Sequence, residues 1–355
     1  MSAALPPAVW PHASAAATRL LQIDPRSGGL RDRLANDLPE ILRPGDLLVV
    51  NDVGTLPASL AGTTRRGPVE IRLAGPPEED AGPRSLWPAV LFGAGSWRQR
   101  TEDRPAPPPL HRGDRVVFGR GGLSARVVSV SKRSERLVDL RFDREGAELW
   151  STLYRLGRPV QYSHLCGPLD LWHVQTPYAS RPWAVEMPSA GRALRPPLLR
   201  ELRRRGVEVA SLSHAAGLSS TGDADLDALL PLPEKTEVPG ATVEAVARTK
   251  KARGRLVAVG TTVVRALEGR AALRPLRLGQ SLTRLRIGPG HVLRVVDGLL
   301  TGLHAPGESH FELLQAFAPR GVLDSALRHA AAAGYLGHEF GDLVVILPTR
   351  ATSRG

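Results

Sequence analysis

Three short apolar runs constrain this chain most. Leu47–Val50 reads LLVV, Leu256–Val259 reads LVAV and Leu343–Leu347 reads LVVIL. Each is unbroken by polar residues and bounded by Gly, Asn or Pro. Such runs suit strands buried on both faces rather than half-solvated ones. Helical patterns precede or follow them. RPPLLRELRRRG carries Leu198, Leu199 and Leu202 and stops at Gly206 before the strand VEVASLS. ATVEAVARTKKARG, with Val243, Val246 and Ala247 inward, stops at Gly254 before LVAV, and GVLDSALRHAAAAG leads to the last run. Leu149, Leu153 and Leu156 mark a further helix that ends near Gly157. Repeated helix-to-strand units predict an α/β domain.

One stretch has another texture. Between residues 63 and 143 the runs PVEIRLAG, SLWPAVLFG, DRVVFGR, LSARVVSVS and RLVDLRFD are separated by Gly, Pro and charge, and no helix falls among them. PPEEDAGPR and TEDRPAPPPLHRGD read as loops. Short strands at regular spacing predict a small all-β barrel or sandwich. The expected organisation is an α/β main domain, residues 1–62 and 144–355, with an inserted barrel-like domain at 63–143.

Composition narrows the function. Of 355 residues, 47 are Lys or Arg and 35 are Asp or Glu, a net charge of +12. This excess favours a polyanionic partner, with RNA and DNA first. One cysteine, Cys166, excludes an intrachain disulfide framework and a cysteine-rich zinc site. No apolar run is long enough to span a bilayer and no signal peptide is evident, which leads us to expect a cytoplasmic protein without a membrane partner. There is no P-loop, GxGxxG after a strand, HExxH or CxxC, so a nucleoside triphosphate site, a standard dinucleotide fold and a structural zinc are not expected.

In α/β sheets, ligands sit beyond the carboxyl ends of the strands. Gly260, Thr261 and Thr262 occupy such an end and open a helix whose N-terminus offers free N–H groups. Thr261 or Thr262 could equally be a simple N-cap, and Arg265 with Glu268 an exposed i,i+3 pair. Four other loops share this placement: Asn51–Asp52 after LLVV, Pro188–Gly191 before a helix, His214 at a strand end, and Thr301–Ser309, which carries His304. Asp297 ends an apolar run, and Ser309 with Glu312 matches a capping box. His304, in a Gly/Pro-rich loop, is a candidate acid or base.

These motifs, in order and spacing, resemble the S-adenosylmethionine:tRNA ribosyltransferase-isomerases of queuosine biosynthesis. The resemblance rests on TRLL at Thr18–Leu21, RPGDLLVVND followed by LPASL, VEIRL, QTPYA at Gln175–Ala179 and PSAG at Pro188–Gly191. It continues through VAVGTTVVRALE, PGHVLRVVDGLLTGLHAPGES and FGDLVVIL, covering nearly the whole chain. It implies transfer and isomerisation of the ribosyl moiety of S-adenosylmethionine onto 7-aminomethyl-7-deazaguanine in tRNA, giving epoxyqueuosine. S-adenosylmethionine would be the cosubstrate, tRNA the partner, and no metal would take part in a monomeric enzyme. His304, His214 and Asp297 become the catalytic candidates. Gly260, Thr261, Thr262, Arg265, Glu268, Ser189, Gly191, Gln175, Asn51 and Asp52 become the cosubstrate-binding candidates.

The chain also departs from the family pattern. Ala193 and Leu232 stand where histidines are expected, Gly54 and Ser59 replace arginines, Glu308 replaces a lysine, and Val174 a tyrosine. A second reading follows: a divergent paralogue with another nucleoside substrate, or one that only binds RNA.

Overall fold

The computed structural model describes residues 5–12, 17–77, 85–119, 122–272 and 276–348. Residues 78–84, most of the PPEEDAGPR loop, lie outside the described residues. A nine-stranded sheet runs in the order Gly279–Thr283, Glu234–Val238, Glu208–His214, Leu47–Asn51, Leu256–Val259, Gly298–Gly302, Leu343–Ile346, Arg19–Ile23, Leu30–Leu34. The four strands from Glu208–His214 to Gly298–Gly302 are mutually parallel. The apolar runs occupy the centre because only there are both faces covered.

Their alternation divides the core in two. Leu47, Val49, Leu256, Ala258, Leu299, Val344 and Ile346 pack toward Val263, Val264 and Leu267 of the helix Thr261–Ala271 and toward Leu323 and Leu327 of Arg320–Ala332. Leu48, Val50, Val257, Val259, Leu300 and Val345 face the opposite way, toward Leu38, Leu198, Leu199 and Leu202. Helices therefore cover both faces of the central strands. On the helix Gly240–Lys251 the inward stripe is Thr242, Ala245, Val246 and Thr249, while Ala247 is exposed. The expected Val243–Ala247 face is thus rotated, and two threonines join the stripe.

The second region is a closed antiparallel barrel of six strands: Ser59–Thr64, Gly67–Leu73, Trp87–Phe92, Arg115–Phe118, Leu123–Ser131 and Ser134–Phe142. Closure removes exposed edges. The interior is filled by Leu60, Ile71, Val90, Phe118 and Leu140. Its first strand begins at Ser59, before the boundary expected at residue 63. The helix Gly146–Leu156 follows, burying Leu149 and Leu153 and ending at Gly157. A Cβ on Gly157 would sit 2.3 Å from the Pro57 carbonyl oxygen, so glycine lets the helix end meet the chain just before the barrel. No helix among the described residues is long and apolar enough to cross a membrane.

Candidate active site

The parallel arrangement places the ends of four strands together. Asn51, His214 and Gly260 terminate or follow their strands on one side of the sheet, and Thr301–Gly302 closes the fourth there. Register confirms this: Leu212 lies opposite Asn51, and Val259 opposite Leu300. Gly260 has φ +87°, a left-handed conformation that favours glycine. It is the N-cap of Thr261–Ala271, and neither Thr261 nor Thr262 caps that helix with its side chain. The expected threonine cap is therefore corrected. Instead the Thr262 hydroxyl accepts a hydrogen bond from Asn51 Nδ2 at 3.2 Å.

Asn51 uses its whole amide. Nδ2 also donates to the His214 carbonyl at 2.9 Å, and Oδ1 accepts from the His214 N–H at 3.0 Å. Two strands and the helix start are thereby locked. Asp52 accepts the Ser211 hydroxyl at 2.9 Å and the Ser213 hydroxyl at 2.7 Å.

Beneath these strand ends lies a buried charge cluster. His214 is 0% exposed, and its Nε2 lies 2.7 Å from Glu234 Oε2. Arg265 Nη1 donates to the same Oε2, and Nε donates to the Leu285 carbonyl at 2.9 Å. Glu234 Oε1 accepts the Gly217 N–H at 2.8 Å. Burial alone would raise the Glu234 pKa, but His214, then Arg265 and Gly217, outweigh it and hold the carboxyl down at about 2. Glu234 is thus an anion held by two cationic or polar partners. His214 Nδ1 and Arg265 Nη2 are buried with no protein partner.

Arg265 and Glu268 are not the exposed pair that spacing alone allows. Glu268 is 2% exposed and accepts the N–H groups of Arg294 at 2.9 Å and of Val295 and Val296 at 3.0 Å. Its carboxylate clamps the segment before Gly298–Gly302. Gln175 is also a backbone clamp. Oε1 accepts from Thr55 N–H at 2.9 Å and Nε2 donates to the Thr55 carbonyl at 3.0 Å.

The Pro188–Gly191 loop folds as a short 3-10 turn, Ser189–Gly191. A Cβ added at Gly260 would lie 3.9 Å from the Ala190 Cβ, which puts this loop beside the glycine turn. A Cβ on Gly191 would lie 2.1 Å from the Tyr178 hydroxyl, so glycine is needed for that contact. Ser189 and Arg192 line a cavity of about 20 Å³ together with His12 and Glu339.

His304 stands over the same strand ends. Its Nε2 lies 3.2 Å from the Thr301 hydroxyl and its Nδ1 3.5 Å from Glu308 Oε2. The His310 ring lies 4.7 Å from the His304 ring, centroid to centroid. Burial, then the neighbouring His304, lowers the His310 pKa to about 4. Glu308, against the pull of burial, is held below the usual carboxylate range mainly by His304. Glu308 is also the N-cap of the helix Ser309–Leu314, so the Ser309 capping box does not form. His310 was not singled out by sequence reasoning. Its signal is its place one residue into that helix, beside the Ser309 of the expected capping box.

Asp297 is not brought to the site. Its N–H donates to the Leu256 carbonyl at 2.8 Å and its Oδ2 accepts the Leu256 N–H at 2.7 Å. Leu256 begins the strand that ends beside Gly260, so Asp297 lies at the opposite end of the sheet. Lys250 Nζ, 2.6 Å away, completes its surroundings.

An α/β sheet with an inserted barrel, a glycine-opened helix and imidazoles gathered at the carboxyl ends of its strands defines a site-bearing enzyme-type fold. The family model described as "Queuosine biosynthesis protein" matches residues 5–346. The chain is 36% identical over 339 residues to the S-adenosylmethionine:tRNA ribosyltransferase-isomerase of Anaeromyxobacter dehalogenans (strain 2CP-C), covering 93% of this chain and 92% of that one. It is 34% identical to the enzyme of that name from Moorella thermoacetica, covering 93% of each. The fold is similar, with a TM-score of 0.51 at 24% identity, to the crystal structure of an S-adenosylmethionine tRNA ribosyltransferase from Thermotoga maritima, over 97% of this chain and 98% of that one. The chain belongs to the queuosine biosynthesis protein family.

Proposed function

We propose that this chain is an S-adenosylmethionine:tRNA ribosyltransferase-isomerase. The observation that carries the reading is the convergence of Gly260–Thr262, the Ser189–Gly191 turn, Asn51, His214 and His304 at one end of the sheet. The name and near full-length coverage of the relatives support it. The paralogue reading is not favoured, because the relatives named above carry the ribosyltransferase-isomerase name over nearly their whole length.

Roles divide by exposure and partners. The Gly260 N–H donates to the Leu300 carbonyl, so the Thr261 and Thr262 N–H groups are the ones at the helix start that, with Ser189 and Asp52, would orient the polar groups of S-adenosylmethionine. Asn51, Gln175, Arg265 and Glu268 are positioning residues, since their side chains hold other protein groups. His214, buried under the site, acts through Glu234 and the strand end it fixes. His304 and His310 supply the proton chemistry. A carbon beside a sulfonium is acidified, and a neutral imidazole can take its proton. Burial keeps His310 neutral at pH 7 and ready to accept the carbon-bound proton, and the His304 ring beside it offers a route for that proton to departing adenine. Methionine then leaves as the ribosyl carbons close onto the deazaguanine side chain. The net charge of +12 suits tRNA phosphates, and a cytoplasmic location follows from such a substrate.

The test is to incubate the protein with S-adenosylmethionine and tRNA carrying the aminomethyl-deazaguanine base, and to follow adenine. Stoichiometric adenine release with modified tRNA is expected. No adenine despite intact S-adenosylmethionine binding would overturn the reading.

A further inference from the structure

Beside the strand-end site, two histidines and a glutamate come together from distant parts of the chain. His338 and Glu339 lie in a tight turn before the strand Leu343–Ile346. Asp342 builds this turn, accepting the Leu336 N–H at Oδ2 and the Arg19 N–H at Oδ1, both at 2.9 Å. A Cβ on Gly341 would lie 2.4 Å from the Gly337 and Leu336 carbonyl oxygens, so the turn is closed on itself. Within it His338 has φ +66°. That left-handed backbone is unfavourable for a residue with a Cβ.

His164 comes from the other side, in the loop that follows the helix Gly146–Leu156. Gln161 braces this loop, donating to the Gly167 carbonyl at 3.1 Å and accepting the Leu169 N–H at 2.9 Å. The His164 and His338 ring centroids are 4.4 Å apart. His164 Nε2 lies 3.3 Å from Glu339 Oε2, yet it makes no hydrogen bond and is buried. One donor atom from each of the three residues falls within 4.8 Å of the others.

We propose that His164, His338 and Glu339 form a binding site for a divalent, zinc-class cation. Two imidazoles and a carboxylate are ligands such ions favour, whereas Mg²⁺ and Ca²⁺ favour all-oxygen sets. Bonds of about 2.0–2.2 Å at tetrahedral angles put neighbouring ligand atoms roughly 3.3–3.6 Å apart. The His164–Glu339 separation already has that value, and the ion would give buried Nε2 its missing partner. A simple His–Glu ion pair would instead align Nε2–H with the carboxylate, which does not occur here. The ion would tie the loop after the barrel to the turn before the last strand. Glu339 and Ser189 line the same small cavity, so the ion would stiffen one rim of the candidate site. His164 is too far in sequence from the adjacent His338 and Glu339 for the three to form a spacing motif.

The full-length protein, stripped with chelator, is titrated with Zn²⁺ by calorimetry, and its metal content is measured after desalting. About one equivalent, not displaced by excess Mg²⁺, is expected. His164→Ala and Glu339→Gln should each weaken binding by at least about ten-fold. His338→Asn should do the same while tolerating the left-handed backbone. Zn²⁺ should raise the Tm of the unaltered protein and leave that of His164→Ala in place. Exposed Cys166 is the competing ligand, and Cys166→Ser should leave binding unchanged. Less than about 0.2 equivalents bound, or binding that survives His164→Ala or disappears in Cys166→Ser, would overturn the proposal. None of these readouts depends on adenine release.

Discussion

Arg265 and Glu268 lie three residues apart on one helix and hold different parts of the fold. Arg265 reaches Glu234 and the Leu285 carbonyl, while Glu268 takes the three N–H groups of Arg294, Val295 and Val296. The helix that opens at Gly260 therefore anchors two neighbouring segments from within the core. Glu268→Ala removes the acceptor from three N–H groups, two of them in buried hydrogen bonds. Leaving buried donors unmet costs about 1–3 kcal/mol for each one that water does not reach. We expect a loss of at least about 2 kcal/mol in urea unfolding. A loss below about 0.5 kcal/mol would show that the segment before Gly298 is held by other contacts.

Glu234→Gln tests the charge cluster beneath the site. The substitution keeps the shape but leaves Arg265 and His214 without their anion. Breaking one partner of a buried pair is expected to cost about 3–5 kcal/mol. Equilibrium unfolding measures this directly. An unchanged midpoint would mean that Arg265 finds another anion.

His304→Ala is expected to lower single-turnover adenine release by at least about 100-fold. Its Nε2 faces the Thr301 hydroxyl and its ring lies against His310, which places it in the proton path of the site. Unchanged release would remove His304 from the chemistry.

The pH dependence of stability has a defined window. His310 is lowered from 6.5 to about 4, so the unfolded chain takes up a proton below pH 6.5 that the folded chain refuses. Stability from this group is fully present above pH 6.5 and falls as the pH drops toward 4, by about 1–3 kcal/mol. Glu234 adds a loss only below 4.5, down toward 2. His310→Gln should flatten, not abolish, the decline in Tm between pH 6.5 and 4.5. An identical slope in the variant would sink the assignment.

Much of this was legible in the sequence, for physical reasons. Leu47–Val50 and Leu256–Val259 announce central strands because polar residues cannot be tolerated there. His214 and His304 were visible as imidazoles at strand ends. What stayed hidden depends on partners far along the chain. Nothing local to Glu268 indicates that three N–H groups from residues 294–296 will meet it, and the i,i+3 spacing suggests Arg265 instead. Nothing near His164 indicates His338. Gln175 matched a family motif, yet its amide closes on Thr55, whose hydroxyl also donates to the Val174 carbonyl and whose strand pairs with Pro182–Ala184.

Asp297 gives the sharpest contrast between motif and place. It matched the family pattern and stood among the catalytic candidates, but it bonds to Leu256 at the start of a strand whose other end opens onto Gly260. Asp297→Asn keeps an acceptor for the Leu256 N–H and loses the charge facing half-exposed Lys250. Such an ion pair contributes about 0–1 kcal/mol. We expect adenine release within about two-fold of the unaltered enzyme and a destabilisation under about 1.5 kcal/mol. A loss of turnover of about 100-fold with normal stability would return Asp297 to the reaction and require the chain to bring opposite ends of the sheet together.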